Sequence, residues 1–268
     1  VETDYTQARN LYQFACDHGL YNACLDQGEM YRKGRGLPDG LDTDKASLYL
    51  WRESCQRGSM ASCVNAGMMY EKGEGSQADY AQASRYYAQA CENGLALGCG
   101  ELARLYRQGR GVLRIPQRAV ELNEQACDEG VFESCRQLGE MLEVGEGDER
   151  DRIRAMSLFR TACDGGNYKG CTQLARLYEG QENYEWAASL YQRACEGSEA
   201  DACERLGYIY ELGEGRSKDP QRAVDYFDRA CDLYQLSSCI HLGDVLLTGD
   251  GIIQDEKNAV RLYNFACD

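Results

Sequence analysis

The fold of this chain is decided by a stretch that recurs along it, ACDEGVFESCRQLGEMLEVGEG (residues 126–147). Two cysteines in it are separated by seven residues, and a G-x-G pair closes the unit. Fourteen of the fifteen cysteines form seven such C-x7-C pairs. Successive pairs begin 39, 36, 36, 36, 32 and 36 residues apart, and a period in this range is typical of tandem structural repeats.

Each repeat is predicted to contain two antiparallel helices. Ala119, Leu122, Ala126 and Cys127 lie on one helical stripe. A glycine three residues after the first cysteine, such as Gly130, is a signal for the end of a helix, because glycine enters the left-handed conformation without strain. The sequence Asp219-Pro220 is typical of an N-cap followed by proline at the first helical position. We therefore expect an all-α solenoid of about seven αα-hairpin repeats, forming a single domain over residues 1–268.

The spacing of the cysteines predicts one disulfide in each repeat. Eight residues of unbroken helix would separate two Cα atoms by roughly 12 Å, whereas a disulfide spans about 5.5–6 Å, so a turn must lie between the cysteines. Free buried cysteines remain an alternative, and zinc is disfavoured because C-x7-C does not supply four tetrahedral ligands. The predicted bridges are Cys16–Cys24, Cys55–Cys63, Cys91–Cys99, Cys127–Cys135, Cys163–Cys171, Cys195–Cys203 and Cys231–Cys239.

Cys267 is left without a partner in this scheme. Its period would place the mate beyond Asp268, so we expect the array to be truncated, or Cys267 to be a free or intermolecular thiol.

Composition limits the classes of partner. The net charge of −15 argues against nucleic acid and anionic membranes, and it favours basic partners. No apolar run is long enough to insert into a membrane. The cysteine pairs imply an oxidising compartment, and we expect a monomer that binds a protein or peptide.

The pattern C-x-x-L-[GA]-x-x-[YL]-x-x-G-x-G, followed by a helix ending in A-C-[DE]-x-G, resembles Sel1-like repeats. CRQLGEMLEVGEG (135–147) and CERLGYIYELGEG (203–215) match it closely. The paired cysteines make the chain similar to the disulfide-rich Helicobacter cysteine-rich proteins. The resemblance implies a right-handed superhelix related to tetratricopeptide repeats, in the bacterial periplasm or secreted; a relative in the mitochondrial intermembrane space is the alternative.

The same resemblance implies function. Sel1-like proteins generally act as adaptors, and some Helicobacter relatives have been reported to bind penicillin-type compounds or to hydrolyse β-lactams slowly. Related repeat proteins serve as periplasmic immunity or regulatory proteins. We expect a non-catalytic protein- or peptide-binding scaffold, with weak β-lactam binding or hydrolysis and an immunity or regulatory role as the alternatives.

Residues suited to catalysis or to metal binding are scarce. His18 and His241 lie far apart and are expected at the surface or in turns. No S-x-x-K, K-T-G or G-x-S-x-G motif occurs, so we predict no enzyme activity and no cofactor. Asp39, Asp42 and Asp44 faintly resemble a calcium loop, but they lack its terminal glutamate, so helix capping is the better interpretation and no metal site is predicted.

The resemblance also places a concave groove along the helices that carry the second cysteine of each pair. Positions one, five and eight after that cysteine are predicted to face the groove. The candidate groove residues are Leu25, Glu29, Arg32, Val64, Met68, Glu71, Arg104, Arg107, Arg136, Glu140, Arg176, Glu179, Glu204, Tyr208, Glu211 and Asp244.

Two features stand out within this set. Arg104, Arg107, Arg136 and Arg176 form a basic strip that could bind an acidic peptide or a C-terminal carboxylate. The alternative is internal ion pairing with Glu140, Glu143 and Glu179. The apolar residues Leu25, Val64 and Met68 are either an anchor pocket for a partner or part of a buried cap.

Overall fold

The computed structural model describes residues 4–37, 40–249 and 251–267, in which every regular element is an α-helix. The chain divides into two compact units, Val1–Arg150 and Asp151–Asp268. The described helices of the first unit are α1 (Tyr5–Asp17), α2 (Tyr21–Arg32), α3 (Thr43–Gln56), α4 (Met60–Lys72), α5 (Tyr80–Glu92), α6 (Ala96–Gln108), α7 (Pro116–Asp128) and α8 (Phe132–Val144). Those of the second unit are α9 (Arg152–Asp164), α10 (Tyr168–Glu179), α11 (Tyr184–Glu196), α12 (Ala200–Leu212), α13 (Pro220–Asp232), α14 (Leu236–Thr248) and α15 (Glu256–Cys267).

The helix ends follow the capping signals in the sequence. Asp219 accepts a hydrogen bond from the backbone N–H of Arg222 at the start of α13, and Pro220 is the first residue of that helix. At the end of α7, Gly130 is left-handed with φ +87° and donates to the carbonyl of Cys127 at 2.9 Å. The N–H of Val131 then reaches back to the carbonyl of Ala126 at 2.9 Å, which completes a Schellman motif.

One disulfide joins the two helices on either side of each of these turns, as predicted. The bridges connect α1 to α2, α3 to α4, α5 to α6 and α7 to α8 in the first unit. In the second unit they connect α9 to α10, α11 to α12 and α13 to α14. The turn brings the Cα atoms of each pair within 5.1 Å or less, although they are eight residues apart in sequence. Cys267 is free and exposed.

The next repeat is attached through a large side chain that packs on a helical glycine. Tyr87 of α5 is completely buried against Gly67 of α4, where an added Cβ would lie only 2.6 Å from the tyrosine ring. Phe227 of α13 covers Gly207 of α12 in the same way, at 2.7 Å. The disulfides therefore hold helices together within a repeat, and these contacts join one repeat to the next.

The second glycine of the G-x-G turn allows a further close approach. Gly75 is left-handed, with φ +73°, and a Cβ on it would lie 2.6 Å from the carbonyl oxygen of Asp44. The turn after α4 therefore packs directly on the first turn of α3.

Asn123 is an exception to the aromatic packing. It occupies the position of Tyr87 and Phe227 in its repeat and is completely buried, yet its Oδ1 accepts no hydrogen bond from the residues that the structure describes. Its Nδ2 lies 3.8 Å from the sulfur of Met141. An unsatisfied buried amide is costly, so this repeat has a less favourable core than its neighbours.

Candidate binding surface

The arginines of the basic strip that lie in the first unit are ion-paired within the chain. Arg104 contacts the carboxylates of Glu71 at 2.6 Å and Glu101 at 2.8 Å. Burial opposes the charged form of Arg104, but the hydrogen bonds to these carboxylates outweigh it and raise its pKa. Burial likewise acts to raise the pKa of Glu71, but hydrogen bonds from Arg104 and Tyr87 hold it below its ordinary value.

The next two arginines share acidic partners. Arg107 lies 3.3 Å from Glu140 and 2.9 Å from Glu146. Arg136 pairs with Glu133 and also with Glu140. Internal pairing, which the sequence left open, is thus found for this part of the strip, although several of the partners lie outside the three glutamates that helical spacing suggested.

The N-terminal candidates are charged and apolar residues that the chain itself partly covers. Arg32 approaches Glu74 at 3.8 Å, and Glu29 pairs with Lys33 at 3.1 Å. Val64 is only 2% exposed, so its prediction as a groove residue is wrong: the side chain belongs to the core and cannot reach a partner.

The other two apolar candidates, Leu25 and Met68, are half-buried. Leu25 packs against the cluster containing Leu48 and Trp51, and its carbonyl accepts a hydrogen bond from the Trp51 indole at 3.1 Å. For Leu25, this packing favours the buried-cap interpretation.

In the second unit, the carboxylates at candidate positions accept hydrogen bonds from neighbouring helices. Arg176 pairs with Asp201 at 3.3 Å rather than with Glu179. Glu179 instead pairs with Arg205 and accepts from the hydroxyl of Tyr191 at 2.7 Å.

Glu204 is held by three donors from the α13–α14 turn and the start of α14. It accepts from the amide of Gln235 at 3.1 Å and from the hydroxyls of Ser237 at 2.6 Å and Ser238 at 3.0 Å. Glu204 is therefore fixed by its own chain.

A cavity of about 220 Å³ lies between α12, α13 and α14, and we call it the His241 cavity. Two candidate groove residues, Glu211 and Asp244, line it. The remaining lining residues are Lys218, Pro220, Ala223, Val224, Phe227, His241, Val245 and Thr248.

The polar groups of the His241 cavity are oriented by specific contacts. The Nε2 of His241 lies 3.1 Å from Glu211, and its ring packs edge-on to Phe227 with centroids 4.6 Å apart. Asp244 is exposed and accepts from the hydroxyl of Tyr263 at 2.7 Å. The candidate residue Tyr208 lies against the same imidazole, with centroids 5.0 Å apart.

The candidate groove residues predicted from the sequence do not include His241, which lines this cavity. It was expected at the surface or in a turn, but it is half-buried within α14. Its position two residues after Cys239, next to a predicted groove position, was the available signal. His18 fits the expectation, since it is exposed at the C-cap of α1.

Of the three aspartates that faintly resemble a calcium loop, the structure describes two, Asp42 and Asp44. Asp42 caps α3 by accepting from the N–H groups of Asp44 and Lys45, each at 3.1 Å. Asp39 lies outside the described residues. Within the described ranges, no three His, Cys, Asp or Glu side chains converge in a way that could hold a metal ion. No helix in these same ranges is long and apolar enough to cross a membrane.

Paired helices, one disulfide per repeat and aromatic-on-glycine contacts together define a disulfide-bonded αα-repeat protein. The profile of the Sel1 repeat matches residues 1–20, 21–59, 61–95, 96–131, 132–167, 169–198, 200–234 and 236–268. The chain therefore belongs to the Sel1 repeat family, in agreement with the resemblance seen in its sequence, and repeats of this family are protein-interaction modules.

Solved structures share this fold. A Sel1 repeat protein from Oxalobacter formigenes is 19% identical with a TM-score of 0.74, over 91% of this chain and 96% of that one. The protective antigen c5321 of uropathogenic Escherichia coli is 23% identical, with a TM-score of 0.73. The match covers 99% of this chain but only 65% of the length of c5321.

A third similar structure is the immunity protein Pa5087 of Pseudomonas aeruginosa, 22% identical with a TM-score of 0.52 over 78% of this chain and 81% of that one. At these identities the likeness establishes the fold alone. No curated protein matches the chain by sequence.

Proposed function

We propose that this chain is a non-catalytic, monomeric scaffold of the bacterial periplasm or extracellular space that binds a basic segment of a protein partner at the His241 cavity. The seven disulfides support an oxidising compartment, because such bonds rarely persist in the cytosol. The mitochondrial intermembrane space is the alternative location.

The observation that carries the proposal is the chemistry of the His241 cavity. Val224 and Val245 supply apolar walls, while Glu211 and Asp244 place two carboxylates beside them. A lysine or arginine side chain fits this combination, because its methylenes can pack on apolar groups while its charged end meets a carboxylate. The volume lies below the roughly 300 Å³ at which sites for drug-sized ligands begin, so one side chain is the better occupant.

The charges elsewhere in the chain also favour a basic partner. The chain carries a net charge of −15, which attracts basic partners over long range. The arginines expected to attract an acidic peptide are ion-paired with carboxylates of the chain. A partner carboxylate would have to displace those carboxylates, which disfavours an acidic ligand on the strip.

The test begins with capture of the partner from envelope extract and identification by mass spectrometry. Affinity for that partner is then measured for Asp244→Asn, which removes the charge but still accepts from Tyr263. We expect about tenfold weaker binding, equivalent to ~1.4 kcal/mol. Asp225→Asn is the matched control, since Asp225 is an exposed carboxylate of α13 outside the cavity. Equal affinities for wild type and Asp244→Asn would remove the His241 cavity from the proposal.

The absence of catalysis is tested separately. The purified chain should not turn over a chromogenic cephalosporin. Turnover that co-purifies with the chain and is lost in a Glu211→Gln or His241→Gln variant would contradict the proposal.

A further inference from the structure

A second cluster in the second unit has a chemistry opposite to that of the His241 cavity. The turn GEGRSKD (213–219) and the start of α13 contribute Arg216, Lys218 and Arg222, whereas the corresponding turn GEGDERD (145–151) is mostly acidic. These three cations surround a recess of about 430 Å³, which Tyr210, Ser217 and Asp219 also line. We call it the Arg216 recess.

Two guanidinium groups converge on one phenol hydroxyl. Arg216 donates to the hydroxyl of Tyr210 at 2.9 Å, and Arg222 donates to the same oxygen at 3.2 Å. Their Cζ atoms lie 5.7 and 5.5 Å from the centre of the Tyr210 ring. Tyr210 itself is only 3% exposed and stacks on Tyr226, so the phenol is a fixed platform for both arginines.

The positive charge at this platform exceeds the negative charge. Asp219 lies 3.3 Å from the Nε of Arg222, and it also caps α13. Among the described residues, Arg216 and Lys218 form no ion pair. The Nε of Arg216 is buried and donates to no acceptor of the described chain.

We propose that the Arg216 recess is a binding site for a small oxyanion, either a phosphate or a carboxylate group. An oxyanion there would accept from guanidinium N–H groups of Arg216 and Arg222, balance the excess charge, and be accessible to Lys218 and to the hydroxyl of Ser217. Guanidinium groups bind both kinds of oxyanion through charge-assisted hydrogen bonds. The site is distinct from the His241 cavity, although Lys218 lines both.

The experiment follows the Nε–H resonances of the arginines by ¹H–¹⁵N NMR while sodium phosphate or sodium acetate replaces sodium chloride at constant ionic strength. We expect the resonance of Arg216 to shift and saturate with at least one of the two anions. Saturation with phosphate alone assigns the recess to phosphate groups, and saturation with acetate alone assigns it to carboxylates. If neither anion saturates the shift, the proposal is wrong.

Variants test whether anion binding depends on the two arginines of the recess. Arg216→Gln should abolish saturable binding, measured for this variant by backbone amide shifts at Ser217 and Lys218, and Arg222→Gln should weaken it at least fivefold. Arg229→Gln is the matched control, because Arg229 lies on α13 and donates to the carbonyl of Glu196 instead. Binding that is unchanged in Arg216→Gln would also overturn the proposal. The wild-type titration decides the question even if a variant fails to fold.

Discussion

At the scale of single residues, the turn between the two disulfide-bonded helices of each repeat contains one position whose backbone is left-handed. Five repeats place glycine there, and two place Ser198 and Tyr234, which adopt the same left-handed conformation with φ +66° and +64°. Left-handed backbone costs a residue with a Cβ roughly 1–2 kcal/mol. Those two turns therefore keep their shape because the disulfide and the paired helices impose it.

Replacing Ser198 by glycine should stabilise the protein. The relief of backbone strain is partly offset by the greater entropy of glycine in the unfolded chain, which leaves a gain of about 0.5–1 kcal/mol. Denaturant unfolding measures it. Gly94→Ser is the reciprocal control, because a Cβ on Gly94 meets no atom within 4 Å and only the backbone preference changes. A loss of stability in Ser198→Gly would contradict this account.

The ion pair between Glu71 and Arg104 makes stability depend on pH. The folded chain holds the pKa of Glu71 below its ordinary value of 4.5, so the ionised carboxylate stabilises the fold above that pH. This contribution is lost as the pH falls below 4.5 and through the pKa of the folded state.

The variant Glu71→Gln should therefore lose about 1 kcal/mol of stability at neutral pH, and its difference from the wild type should shrink at about pH 3. Urea unfolding at the two pH values is the measurement. Glu53→Gln is the control, because its pair with Arg57 is exposed and contributes little. A difference that stays constant with pH would exclude ionisation of Glu71 as the cause.

At the scale of helices, the structure separates two kinds of connection. A covalent bridge joins α5 to α6, while the packing of Tyr87 on Gly67 joins α5 to α4. A disulfide that closes such a short loop stabilises by about 2–3 kcal/mol in the chain-entropy model.

Removal of one bridge by Cys91→Ala with Cys99→Ala should lower the free energy of unfolding by about 2–3 kcal/mol. Cys267→Ala should leave it unchanged, because this cysteine is free and exposed. Chemical denaturation of the three proteins makes the comparison, and a loss no larger in the double variant than in Cys267→Ala would show that packing alone sets the turn.

The helices and bridges were predictable because they depend on local signals that recur. Gly130 and Asp219 determine their helix ends through contacts within a few residues, and C-x7-C can close only across a turn. The contacts of the candidate binding residues were harder to predict from the sequence. The ion pairs of Arg107 with Glu146 and of Arg176 with Asp201 join residues that are far apart along the chain. The position of Val64 relative to the second cysteine of its pair also gave a wrong prediction of exposure. The burial of a side chain depends on the neighbouring helices and not only on its position in the repeat.

At the scale of the whole molecule, fourteen of the fifteen cysteines are joined in disulfides, which indicates an oxidising environment, and the net charge of −15 supports the proposed preference for basic partners. The number of free thiols tests directly whether these cysteines are oxidised. Denatured but unreduced protein should take up one alkyl group, at Cys267, and fifteen after reduction. Mass spectrometry with peptide mapping reads both numbers, and more than one alkyl group without reduction would contradict full oxidation.

The short span of every bridge has a consequence for how the protein is made. Each disulfide joins cysteines eight residues apart, so its partners emerge almost together when the chain enters an oxidising space from its N-terminus. Closing so short a loop costs little chain entropy, and another helix must emerge before the next cysteine appears. Correct pairing can thus be secured one repeat at a time during synthesis, with little need for a disulfide isomerase to correct mispaired cysteines.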